Sequence, residues 1–195
     1  METNRQDYNC ILDMVTPHSH VLDLGCGDGE LLSLLIAKKN CRATGIEIDE
    51  KSIYKCVERG VTVSHGDIDS GLNDYSDKRF DYVILNESLQ EILSPEKVIL
   101  EALRVGKKVI IGIPNFCNLS ARMQIFFKGR VPVTKGLPYK WYNTPNLRFL
   151  SIKDFRDFCH ERNITINQER SIGADGEVTI FRNLFAHIAL FQISK

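Results

Sequence analysis

The 195-residue chain has no apolar run near the ~20 residues that cross a bilayer. Its polar start, Met1-Glu2-Thr3-Asn4-Arg5-Gln6-Asp7, lacks the character of a signal peptide. A cytoplasmic protein without membrane attachment is the expectation. No Cys-x-x-Cys pair occurs either. Cys10, Cys26, Cys41, Cys56, Cys117 and Cys159 are scattered with no His at ligand spacing, so reduced thiols and no metal site are expected. Repeats, low-complexity tracts and linkers are missing too. The expectation is one domain over residues 1–195, large enough to bury a core without disulfides. The most localised absence is of acid. No Asp or Glu lies between Glu101 and Asp154, while residues 102–153 hold 10 bases; residues 1–101 carry 19 acids against 10 bases, so a net charge of zero hides an asymmetry. A solvated basic face is the plain reading of that block, and an interaction surface the other.

What is present is organised around residues 21–30, Val-Leu-Asp-Leu-Gly-Cys-Gly-Asp-Gly-Glu, followed by the apolar residues 31–37. An apolar strand running into alternating glycines and then a helix lets backbone N–H groups approach a ligand. Gly25 takes backbone angles that a Cβ disfavours, Gly27 lets ligand atoms close to the main chain, and Gly29 is expected to permit helix-on-strand packing. The spacing is G-x-G-x-G rather than the dinucleotide G-x-G-x-x-G, and Asp23 and Asp28 place carboxylates where a pyrophosphate would sit. Like charges at that range are costly. S-adenosylmethionine brings a sulfonium and an ammonium instead, so acids favour it or S-adenosylhomocysteine over NAD. Glu47, about twenty residues past the glycines at the end of a second strand, is placed to accept both ribose hydroxyls. Asp67, just past a third strand, could accept from the adenine amine, or could be a plain turn carboxylate. The expected cofactor wall is Asp23, Gly25, Cys26, Gly27, Glu47, Ile48, Asp67, Ile68 and Asn86.

Strands at residues 21–24, 42–47, 61–65, 80–85 and 108–113 alternate with helices. An amphipathic helix through Tyr8, Ile11, Leu12 and Val15 precedes them; Asp49 and Ser94 are expected caps, and Gly60 and Gly106 helix stops. Strands at residues 164–169 and 185–193 finish the sheet, the last antiparallel, with residues 171–176 a loop. The pattern specifies an α/β fold, a doubly wound, Rossmann-like and mostly parallel sheet. From Pro114 to Leu150 the periodicity fails apart from one short helix at residues 119–127. This irregular stretch is dense in Phe116, Phe126, Phe127, Tyr139, Trp141, Tyr142 and Phe149, interleaved with Arg122, Arg130 and Lys140. Ser151 and Asp154 then form a capping box that opens a helix with Phe155, Phe158 and Cys159 inward.

The glycine motif with Glu47 resembles class I S-adenosylmethionine methyltransferases. Pro114-Asn115-Phe116, residues 129–134 (Gly-Arg-Val-Pro-Val-Thr), residues 137–142 (Leu-Pro-Tyr-Lys-Trp-Tyr) and Thr144-Pro145-Asn146 resemble more narrowly the methionine-biosynthesis protein MetW family, and the likeness runs through Asp154-Phe155 to Asn183-Leu184-Phe185. The resemblance implies a methyltransferase-like fold and a role in methionine biosynthesis, as the partner that supports a homoserine O-acyltransferase of the MetX type. It also implies a cofactor crevice lined by Asp23, Gly25, Gly27, Glu47 and Asp67. This chain departs from the family's usual pattern at Asn143, where an acid is common, at Leu147-Arg148 for Ile-His, and at Asn118-Leu119 for His-Trp.

Three functions stay open. One is an accessory subunit that docks on the acyltransferase through Arg130, Tyr139, Trp141 and Tyr142 and binds S-adenosylmethionine or a relative. Another is an active small-molecule methyltransferase with the aromatic segment as a lid. The third is an RNA-modifying enzyme using the basic block, which the near-neutral pI and the Pro and aromatic context disfavour. His65, His160 and His187 read as structural and Tyr82 as core. No catalytic group is assigned, and Asn86 and Glu87 are the polar groups placed nearest a transferred methyl.

Overall fold

The computed structural model describes residues 5–134 and 136–195. The strands are β1 (His20–Leu24), β2 (Arg42–Glu47), β3 (Thr62–His65), β4 (Phe80–Asn86), β5 (Gly106–Pro114), β6 (Thr165–Ile172) and β7 (Ile188–Ser194). They form one sheet in the order β3-β2-β1-β4-β5-β7-β6. The first five run parallel, and β7 pairs antiparallel with both β5 and β6. Strand order reverses between β1 and β4, which opens a crevice at their carboxyl ends.

The sheet is apolar on both faces, and successive residues divide between two cores. Leu22, Val83, Leu85, Val109 and Ile111 face the helices α4 (Pro95–Val105) and α6 (Ile152–Glu161). Val21, Tyr82, Ile84 and Ile110 face α1 (Gln6–Met14), α2 (Glu30–Lys39) and α3 (Glu50–Glu58). Continuous apolar strands in the sequence thus mark a sheet covered on both sides. Tyr82 is core, as expected.

Local chemistry fixes the helix starts. The Asp49 carboxylate accepts from Ser52 N–H at 2.9 Å, and Ser151 and Asp154 close a reciprocal capping box; such caps each contribute about 1 kcal/mol. Ser94 precedes α4 with Pro95 at N1, yet its side chain makes no cap. The Asp69 carboxylate takes the N–H groups of Leu93 and Ser94, the two residues before the helix, at 2.9 and 2.8 Å, and so fixes the entry to α4 without capping its first-turn N–H groups. The short helix expected in the irregular stretch is α5 (Leu119–Lys128), whose N-cap is Asn118, accepting from Ala121 N–H.

Two expectations at the end of the chain are corrected. Ser171 and Ile172 are not loop but the last residues of β6, paired with Ala189 and Ile188. Phe185 lies not in a strand but in the one-turn helix α7 (Arg182–Phe185), entered through Phe181 in the left-handed region, and β7 begins only at Ile188. A largely apolar run hid that turn because its determinant, Asn115 Nδ2 donating to the carbonyls of Asn183 and Ala186, comes from distant sequence.

Candidate functional site

The glycine loop is shaped by its own backbone angles and by Glu47. Gly25, Gly27 and Gly29 all have φ between +55° and +77°, where a Cβ is strained. Gly25 and Cys26 donate to the Ile46 carbonyl, which fastens the loop to the end of β2. Glu47, 9% exposed, accepts from Gly27 N–H through Oε2 at 2.8 Å and from Ile48 and Asp49 N–H through Oε1 at 2.8 and 2.9 Å. One carboxylate therefore ties the glycine loop after β1 to the end of β2, with Oε2 taking one of these bonds and Oε1 two.

A cavity of about 390 Å³ lies over this loop at the switch point. Of the nine residues expected to form a cofactor wall, Gly25, Gly27, Glu47, Ile48, Asp67 and Ile68 line it. A Cβ on Gly25 would come within 3.1 Å of Ser88 Cβ, whereas one on Gly27 would meet nothing within 4 Å, so the loop leaves open space at Gly27 for ligand atoms. Asp67 caps a single 3-10 turn through Oδ1, with Asp69 N–H at 2.9 Å. Its other oxygen is not used in that turn.

The remaining three lie behind or beside the cavity. Asp23 is buried beneath the loop at 3% exposure, and its Oδ1 has no hydrogen-bond partner among the described residues. Cys26 points away, its thiol 3.9 Å from that of Cys56 on α3. Asn86 donates to Asp7 Oδ2 at 2.8 Å. Gly29 packs against a helix rather than a strand, for a Cβ there would lie 2.9 Å from Cys56 Sγ. Asp28 turns outward to an ion pair with Arg59 at 2.9 Å.

On the α1 side the site is closed by a cluster of which sequence reasoning singled out Glu87 but missed Arg5 and Asp7. Arg5 donates to both oxygens of Asp7 at 3.0 and 2.6 Å and to Glu87 Oε2 at 2.7 Å, with its guanidinium 4.2 Å from the Tyr8 ring centroid. Asp7 is 4% exposed. Burial opposes its charge, but hydrogen bonds from Arg5 and Asn86 hold its carboxyl below the usual range. Burial raises Glu87 against the pull of Arg5, and Glu87 occupies φ +57° at the end of β4, a strained geometry for a residue with a side chain. Ser88, Glu91 and Ile92 complete this wall. Ser88 Oγ donates to the Leu24 carbonyl, which links the ends of β4 and β1.

Burial, then the charge of Glu47, pushes Asp23 up to about 7 from an ordinary value of 3.8. A folded-state value above the unfolded one means that the native protein holds a proton the unfolded chain has lost between about pH 4 and 7. Stability from this group is therefore complete below pH 4 and lost as pH rises through 7. At about 1.4 kcal/mol per unit the limit is about 4 kcal/mol. Asp23→Asn is expected to remove this share, so that its melting temperature, relative to wild type, climbs from about pH 4 to pH 7 and levels off above that. A constant offset across thermal melts over that range would contradict it.

In the irregular stretch, Trp141 is 74% exposed and stacks edge-on with Tyr142, ring centroids 5.7 Å apart. Arg130, Tyr139 and Tyr142 are exposed as well. Phe126 and Phe127 on α5 are largely in solvent, as are Ile180 and Phe181, which sequence patterning did not single out. The positions that depart from the resembled family have local tasks. Asn143 Oδ1 accepts from Lys140 N–H, and Arg148 donates to the Leu93 carbonyl.

A family model for "Methionine biosynthesis protein MetW" matches residues 5–193. The chain belongs to the MetW family. A relative from Rhodopirellula baltica, named "Bifunctional methionine biosynthesis protein MetXA/MetW", is 36% identical over 172 residues, covering 84% of this chain and 28% of that protein. The chain thus spans little more than a quarter of that relative's length. Among solved structures, an S-adenosylmethionine-dependent methyltransferase from Archaeoglobus fulgidus aligns with a TM-score of 0.69 and 18% identity over 97% of this chain and 91% of that one. Another from Mesorhizobium loti gives 0.68 and 10% over 98% and 99%. At these identities the likeness establishes the fold, that of class I methyltransferases, for this member of the MetW family. No helix among the described residues is long and apolar enough to cross a membrane.

Proposed function

We propose that this MetW family protein acts in the cytoplasm as an accessory subunit of a homoserine O-acyltransferase of the MetX type, and that its crevice binds S-adenosylmethionine or S-adenosylhomocysteine. The observation that carries the reading is the exposure of Trp141 and its neighbours within a stretch free of acid. A core or a closed lid would bury them, while an interface uses aromatic and Arg anchors. A relative bearing both the MetXA and MetW names in one polypeptide supports the identity of the partner. The open space at Gly27 and the orphaned buried oxygen of Asp23 support the ligand, since a sulfonium and an ammonium near the loop favour ionised carboxylates. Asp23, Cys26 and Asn86 would then act from behind the cavity, and Gly25, Gly27, Glu47, Ile48, Asp67 and Ile68 from its wall.

The test mixes the purified chain with its cognate acyltransferase and measures co-elution and acyltransferase activity with and without it. A stable complex with changed activity is expected. Independent elution with unchanged activity would reject the accessory role and favour the second reading, an active small-molecule methyltransferase. That alternative has one observation in its favour, a small hollow next to the crevice under residues 136–146.

A further inference from the structure

That hollow has a volume of about 290 Å³ and shares Glu87 and Glu91 with the cofactor crevice as a common wall. Gln90, Pro114, Tyr139 and Asn146 form its other sides. The irregular stretch is held over it because Leu147 and Arg148 both donate their N–H groups to the Gln90 carbonyl, at 2.9 and 3.1 Å. These two bonds anchor the chain immediately after Asn146 to the wall of the hollow.

Its lining is chemically one-sided. Both charged residues in the wall are acids, and neighbouring Arg5 offsets them only in part because it is also bound to Asp7. Gln90 is 5% exposed; its Nε2 donates to the Glu87 carbonyl at 2.6 Å, and its Oε1 has no partner among the described residues. A buried amide oxygen without a donor is a standing cost that a ligand N–H can remove. Burial also raises both Glu87 and Glu91 above the usual carboxylate range. Tyr139, half exposed, adds an aromatic ring able to cover methylenes or a cation.

We propose that this chamber binds a small primary amine, its ammonium between Glu87 and Glu91 with one N–H given to Gln90 Oε1. An ammonium supplies three donors and a positive charge to a wall that offers acceptors and negative charge. An anion is repelled there, and a neutral alcohol leaves the carboxylates uncompensated. The site rests on its own lining and does not require that the adjoining crevice hold S-adenosylmethionine.

The experiment is an NMR titration of the full chain with 5-aminopentanol, 1,5-pentanediol and 5-hydroxypentanoate, each with and without saturating S-adenosylhomocysteine, reading the backbone amides of residues 87–91 in every variant and the Gln90 side-chain amide where it is present. Saturable shifts with the amine alone are expected, retained when S-adenosylhomocysteine is present. Glu91→Gln, at an exposed position, should weaken the amine about tenfold, and Gln90→Met, which keeps the length without the amide oxygen, by a similar factor. Equal binding of the diol, no binding of the amine, or an unchanged Kd in both folded variants would overturn the proposal. So would displacement of the amine by S-adenosylhomocysteine, which would make the chamber the far end of the cofactor crevice. Amine binding by a chain that fails to bind S-adenosylhomocysteine would sink the cofactor reading and leave this one standing.

Discussion

Glu47→Ala is expected to lower affinity for S-adenosylhomocysteine by about 100-fold or more in calorimetry, and to lower the melting temperature as well. Two ribose hydroxyls donating to one carboxylate are worth about 1.5 to 3 kcal/mol each. The geometry adds a second loss. The same carboxylate holds Gly27, Ile48 and Asp49 N–H groups, so the variant leaves three donors to find water and lets the glycine loop relax before any ligand arrives. Glu47→Gln separates the two effects. Its oxygen can keep Ile48 and Asp49, but its amide then faces the Gly27 N–H donor to donor. It should retain most of the thermal stability while losing most of the affinity. Undiminished binding by a folded Glu47→Ala, or binding of NAD by the wild type, would reject the assignment of the crevice.

Glu47 and the glycines were legible in the sequence because their roles are local: a backbone angle, a strand end, a spacing of about twenty residues set by one strand-helix-strand unit. Asp49, Ser151 and Asp154 were legible for the same reason, since a cap acts within four residues. The parallel sheet followed from runs of apolar residues that have to be covered on both faces. The α1 side of the site was not legible. Arg5 reaches Glu87 across 82 positions, and an Arg-x-Asp at a helix start carries no mark of a distant acid. Ser94 misled in the opposite way, a residue of the right type whose side chain makes no cap, while Asp69 from a distant turn fixes the chain just before the helix. Gln90 reads as an unremarkable residue after a strand, and only the fold reveals that its backbone holds residues 147 and 148 and that its side chain is left with an unmet oxygen. Contacts made through chain topology leave no period or spacing to detect.

Trp141→Ala is expected to raise the dissociation rate of the complex with the acyltransferase by about 30-fold, equivalent to about 2 kcal/mol, with little change in melting temperature. The ring is 74% exposed and packs on Tyr142 rather than into either core, so truncation removes an anchor without opening a cavity. Charge should act on the other rate. Arg130 and Lys140 belong to a block of 10 bases without one acid, and a surface of single sign steers encounter while contributing less to the docked state. Arg130→Glu with Lys140→Glu should slow association several-fold and flatten its dependence on salt, leaving dissociation nearly unchanged. Lys135, which also belongs to this block, lies outside the described residues. Were the segment a lid over a small substrate, both sets of changes would spare the partner and weaken the substrate instead. Surface plasmon resonance at two salt concentrations separates these outcomes. Unchanged rates for a folded chain carrying all three replacements would exclude residues 130–142 as the docking surface.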